Sequence, residues 1–97
     1  MKTTSEYIKL LRRYYAKYAK SYGIKRMALF GSVARNEQGE QSDIDVAYEG
    51  EANILLRSRM KRELEAVFGC QVDIVRLRTS LHNTTFEESI KKDLIYV

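Results

Sequence analysis

The sequence has no proline, a single cysteine and a single histidine, and each scarcity narrows what the chain can be. With no proline, no low-complexity stretch and no internal repeat, nothing marks a linker, and residues 1–97 read as one domain. Cys70 alone cannot close an internal disulfide, so a reducing, cytoplasmic setting is expected. His82 is the only imidazole and reads as a surface or helix-start residue rather than a catalytic one. No apolar run approaches the ~18 residues that a bilayer span requires. Met1-Lys2-Thr3-Thr4-Ser5-Glu6 has no apolar core of the kind an export signal carries. Neither membrane insertion nor secretion is expected.

What is present is the balance of a folded domain: 44% hydrophobic and 31% charged residues in a chain of 97. The formal charge of +4 would help attract a polyanion such as a nucleoside triphosphate. The basic residues (Arg12, Arg13, Lys17 and Lys20, then Arg57, Arg59, Lys61 and Arg62) are spread at helical spacing, the pattern of solvated helix faces. A nucleic-acid partner is not expected.

Thr3-x-x-Glu6 has the form of a capping box, followed by Tyr7, Leu11, Tyr14, Tyr18 and Tyr22 at steps of four, three, four and four. Residues 4–21 therefore read as an amphipathic helix ended by Gly23. Its tyrosines are expected mostly to pack on a sheet, with some rings, such as Tyr14 or Tyr18, left exposed for a partner. Ile24 to Phe30 reads as a strand, residues 33–42 as a helical turn and a loop around Gly39, and Asp43 to Tyr48 as a second strand. A second long helix over 52–68 places Leu56, Met60, Leu64 and Val67 on one side and ends at Gly69. Cys70 to Leu77 reads as a third strand, with Cys70 a small core residue. Thr84-x-x-Glu87 or Thr85-x-x-Glu88 caps a short helix through about Lys92, and Leu94 to Val97 forms an edge strand.

Two features in this frame carry chemistry. Phe30-Gly31-Ser32 runs from a strand into a helical turn, where unpaired backbone amides and the Ser32 hydroxyl suit a phosphate. Ten residues later, Asp43 and Asp45 lie two apart on a predicted strand, so both carboxylates share a face while Ile44 and Val46 point into the core. Aspartate is poorly suited to strands, and adjacent like charges repel, unless a divalent cation sits between them. Asp73, in Val72-Asp73-Ile74-Val75, joins the same face if the third strand lies beside the second. Three carboxylates near a phosphate-binding turn make a plausible two-metal site. The alternative is that the pair are strand-edge surface charges and Asp73 pairs with an arginine. Ser32 has no base placed to make it a nucleophile.

Phe30-Gly31-Ser32, the gap of ten, and Asp43-Ile44-Asp45-Val46 resemble the signature of the DNA polymerase β-type nucleotidyltransferase superfamily. Gly31-Ser32-Val33-Ala34-Arg35 and Ser42-Asp43-Ile44-Asp45 are similar to its minimal (MNT) branch, the small proteins of MNT/HEPN toxin–antitoxin pairs. Val72-Asp73-Ile74-Val75 matches the third carboxylate, and Ile90 and Ile95-Tyr96 echo the closing helix and strand. The resemblance covers about residues 5–97. It implies an α/β (α+β) polymerase β-like fold, a small mixed β-sheet flanked by helices. It assigns Gly31 and Ser32 to the triphosphate of ATP, and Asp43, Asp45 and Asp73 to Mg²⁺ ions, two in number. Asp73 would also help activate the attacking hydroxyl, and Arg35 would contact phosphate or steady the aspartate strand by an ion pair.

The expected activity is Mg-dependent transfer of a nucleoside monophosphate, AMP from ATP, to a hydroxyl. The resemblance implies a HEPN-type toxin as the acceptor and this chain as its antitoxin. A partner protein or a small acceptor is expected to complete the active site, and a homo-oligomer is left open. Two rivals stand beside this: a non-catalytic nucleotide-binding antitoxin module, and a transferase acting on a small molecule such as an aminoglycoside or on RNA ends.

Overall fold

Thr3 and Glu6 cap each other reciprocally: the Thr3 hydroxyl accepts the Glu6 N–H at 3.2 Å, and the Glu6 carboxylate accepts the Thr3 N–H at 3.1 Å. The helix so started, α1 (Thr4–Tyr22), stops where Gly23 turns left-handed with φ 67°. This is seen in a computed structural model, which describes residues 2–35, 37, 43–77 and 93–97. The chain then forms β1 (Arg26–Phe30), a single turn α2 (Gly31–Ala34), β2 (Ile44–Glu49), α3 (Ile54–Phe68), β3 (Val72–Arg76) and β4 (Ile95–Tyr96). The Gly39 loop, His82, Ile90 and the Thr84 and Thr85 capping boxes lie outside the described residues. No helix of the described residues is long and apolar enough to cross a membrane.

The sheet runs β3-β2-β1-β4, with β2 parallel to β3 and the other pairs antiparallel, the expected mixed sheet. A parallel pair needs a crossover, which α3 supplies. The Asn53 side chain accepts the N–H groups of Leu55 and Leu56, so α3 begins at Ile54, two residues later than its sequence pattern suggests.

Strand alternation separates two apolar faces. Met27, Leu29, Ile44, Val46, Tyr48, Val72 and Ile74 meet Tyr7, Leu11 and Tyr14 of α1 and Met60, Leu64 and Phe68 of α3 in the main core. Tyr7 and Phe68 join the two helices edge to face, with centroids 5.4 Å apart. On the opposite face Phe30, Ala47 and Leu77 are buried with Val75 and Leu94 against them.

Two expectations are corrected. The fourth core position of α3 is Phe68, 2% exposed, and not Val67, 38% exposed, because the series Leu56, Met60, Leu64 continues in steps of four. Tyr14 is buried rather than partner-facing, and its hydroxyl donates to Glu63 at 2.9 Å, as the Tyr22 hydroxyl does at 3.0 Å. Burial, and then the hydrogen bond to Glu63, push the Tyr14 hydroxyl well above its ordinary pKa. Tyr18 and Tyr22 stay half-buried with stacked rings 5.2 Å apart. Cys70 is only half-buried, packed against the main core, and it precedes β3 rather than opening it.

Leu64 is fully buried where α3 meets the sheet. Leu64→Ala is expected to cost about 2–5 kcal/mol, read from the midpoint of a urea melt.

Candidate active site

The site forms where three strand ends meet. β1 delivers Phe30 opposite Asp45 on β2, and β2 sets Asp45 opposite Asp73 on β3. Asp45 and Asp73 therefore share the sheet face opposite the long helices, while Ile44, Val46, Val72 and Ile74 fill the core on the other side. Asp43 stands immediately before β2.

Gly31 turns the chain out of β1 with φ 76°, in the left-handed region. A Cβ there would also collide with the Asp45 carboxylate, lying 3.0 Å from its Cγ. The glycine therefore meets two demands, a backbone angle and contact between main chain and carboxylate. Gly31→Ala is expected to cost at least about 1–2 kcal/mol from the backbone angle alone. It should also impair nucleotide binding, because Asp45 must move; a melt with and without Mg-ATP reads both effects.

The start of α1 braces this turn: the Thr4 hydroxyl donates to the Val33 carbonyl at 2.6 Å. Ser32 is half-buried in α2, and its backbone carbonyl accepts the Glu37 N–H at 2.8 Å.

The carboxylates act on one another electrostatically. Burial first, then the charges of Asp73 and Asp43, raise Asp45 above its ordinary pKa, and Arg35 opposes them. Among the described residues no Lys or Arg forms an ion pair with any of the three, so the alternative of Asp73 neutralised by an arginine finds no such partner there. An all-oxygen donor set with unbalanced negative charge fits a hard divalent cation such as Mg²⁺. Among the described residues no group of three or more His, Cys, Asp or Glu side chains is placed to hold a metal ion. Mg²⁺ does not need such a group, since it takes one or two carboxylates and fills its octahedron with water and substrate phosphate.

Arg35 lies at the end of α2, but its contacts differ from those expected. Its Nε donates to Glu37 at 3.0 Å and its guanidinium to Asp93 at 2.6 Å, so it ties the Gly-Ser turn to the segment leading into β4. The sequence gives no sign of Asp93, which is 58 residues away along the chain.

A family model for the nucleotidyltransferase domain matches residues 9–97. The chain belongs to that family. It is a nucleotidyltransferase, and the expected superfamily fold is the one observed. A relative from Methanocaldococcus jannaschii, provisionally named protein adenylyltransferase MJ1379, is 41% identical over 101 residues, covering all of both chains. A solved structure provisionally named minimal nucleotidyltransferase superposes with a TM-score of 0.76 at 30% identity, covering 97% of this chain and 95% of the other. A chain of a toxin–antitoxin complex solved with AMP-PNP is 27% identical with a TM-score of 0.56, covering 79% of this chain and 59% of that one. The family uses a nucleoside triphosphate and, in general, a divalent metal.

Proposed function

We propose that this nucleotidyltransferase moves AMP from ATP to a hydroxyl on a partner protein, a HEPN-type toxin for which it is the antitoxin. The observation that carries the reading is the register Phe30–Asp45–Asp73, which places the glycine turn and the carboxylates at one end of the sheet. The adenylyltransferase name of the Methanocaldococcus relative and the AMP-PNP of the toxin–antitoxin complex support the choice of nucleotide and acceptor class. Residues 1–97 act in this reading as a single catalytic domain, and the partner completes the acceptor side.

Gly31 and Ser32 hold the triphosphate, the glycine by close backbone approach and the serine through its hydroxyl. Asp43, Asp45 and Asp73 hold Mg²⁺, which when bound offsets phosphate charge and lowers the pKa of the attacking group. The acceptor oxygen forms a bond to the α-phosphorus, the bond to pyrophosphate breaks, and the acceptor proton leaves toward Asp73. Arg35, fixed by Glu37 and Asp93, supports the turn that carries Ser32.

Mg²⁺ and ATP are expected to stabilise the protein together, because each removes a cost of holding the other. At a hundredfold excess over the dissociation constant the gain is about 2.7 kcal/mol. A melting temperature unmoved by Mg-ATP, with no heat of binding by calorimetry, would count against the site.

A further inference from the structure

A second feature lies next to the carboxylates, along the outer edge of β3. Here β3 has no neighbouring strand among the described residues, and its outward backbone groups meet side chains of α3 instead. Arg57 donates to the Ile74 carbonyl at 2.8 Å, and Lys61 donates to the Val72 carbonyl at 3.0 Å. Glu65 accepts the Val72 N–H at 3.2 Å. Arg57, Lys61 and Glu65 are four residues apart, so one stripe of α3 covers the strand edge.

Between this stripe and β3 lies a groove of about 330 Å³ lined by Ile54, Arg57, Lys61, Val72, Asp73 and Ile74. Lys61 also pairs with the Glu65 carboxylate at 3.3 Å, which offsets part of its charge, whereas Arg57 is held by a neutral carbonyl that fixes its position without cancelling its charge. A guanidinium has five N–H donors, and among the described residues Arg57 pairs with no carboxylate. Ile54, 78% exposed, adds an apolar contact at the mouth. One lining residue, Asp73, belongs to the proposed catalytic set, so whatever occupies the groove lies beside the reaction site.

We propose that this groove docks the acceptor: an acidic, extended segment of the partner protein, whose carboxylates meet Arg57 and Lys61 and whose hydroxyl side chain reaches the Asp73 face. The inference rests on the transfer activity proposed above and names the recognition element of its substrate. Charge complementarity selects the occupant, because charge-assisted bonds to Arg and Lys favour carboxylates over neutral side chains. Alternate side chains of an extended segment point to opposite sides, so a residue next to an acidic one is placed to carry the acceptor hydroxyl over the strand edge.

The test uses the whole chain and two synthetic peptides, one with a single tyrosine flanked on both sides by glutamates, the other with glutamines in their place. By calorimetry at low salt the glutamate peptide is expected to bind at least tenfold more tightly, an advantage that shrinks as salt rises. The double variant Arg57→Gln, Lys61→Gln keeps donors for the β3 carbonyls but removes both charges, and should lose that advantage. Ser58→Glu, on the same groove wall and clear of those backbone bonds, should lose it too. Equal binding of the two peptides by the unaltered protein, or preference retained in both variants, overturns the proposal. The Mg-ATP melting shift, read on the same samples, separates the two ideas. Its absence sinks the nucleotide site, whereas its presence with no peptide preference sinks the groove alone.

Discussion

Asp45→Asn is expected to reduce AMP transfer by at least about a hundredfold while leaving the metal-free protein as stable as before or more so. The two effects share a cause. In the fold Asp45 is half-buried, faces Asp73 across the sheet and follows Asp43 by two residues, so its ionised form is disfavoured. A native pKa above the ordinary 3.8 means that the folded chain binds this proton more tightly than the unfolded chain. The sign of the linkage follows: as pH rises from 3.8 through the raised value, this group lowers the stability of the metal-free protein. Asparagine keeps the shape, removes the charge, and should flatten that part of the stability–pH curve. Mg²⁺ binds the ionised form and releases the proton, so its affinity should strengthen over the same pH range. Melts from pH 4 to 8, with and without Mg-ATP, check all of this. An Asp45→Asn protein that fails to fold would make the residue structural.

The candidate site was legible in the sequence because its residues break local rules. Asp43, Asp45 and Asp73 sit within or just before apolar strands that would ordinarily exclude them, and Gly31-Ser32 interrupts a run of strand formers. The first helix was legible because its capping box, tyrosine spacing and terminal glycine all agree, and α1 differs from the expected span by one residue. Features that depend on distant residues left no such trace. The Arg35–Asp93 pair, and the Arg57 and Lys61 bonds to β3 carbonyls, join side chains to segments far along the chain. The choice of Phe68 over Val67 turns on one helical step, about 100° of rotation, which a pattern of apolar residues on two adjacent positions does not resolve. Tyr14 carries a polar hydroxyl and is nonetheless buried, because Glu63 on α3 accepts its hydrogen bond.

Asp73→Asn separates catalysis from contact. When this chain is mixed with its partner, ATP and Mg²⁺, the partner's mass is expected to rise by one or more AMP units. With Asp73→Asn that rise should vanish while the complex survives, with equal or tighter affinity, because the change removes a negative charge from the groove proposed for the acidic segment and no core contact is lost. The protein should still shift its melting temperature with Mg-ATP, since Asp43, Asp45 and the glycine turn remain. A module that neutralises its partner by contact alone predicts a different pattern. Neutralisation would then persist without ATP and in the Asp73→Asn protein at equimolar amounts, and would fail when a partner-facing ring is removed. Tyr14 is buried and unsuitable for that control, whereas Tyr18, half-buried at the surface of α1, is suitable. The deciding outcome is therefore a pair of masses and a binding curve. If the unaltered mixture shows no AMP on the partner and Asp73→Asn neutralises it as well as the original chain does, the transferase reading fails for that partner. If the AMP units appear and Asp73→Asn abolishes them without weakening the complex, Asp73 acts in the chemistry of transfer and the contact-only reading is excluded.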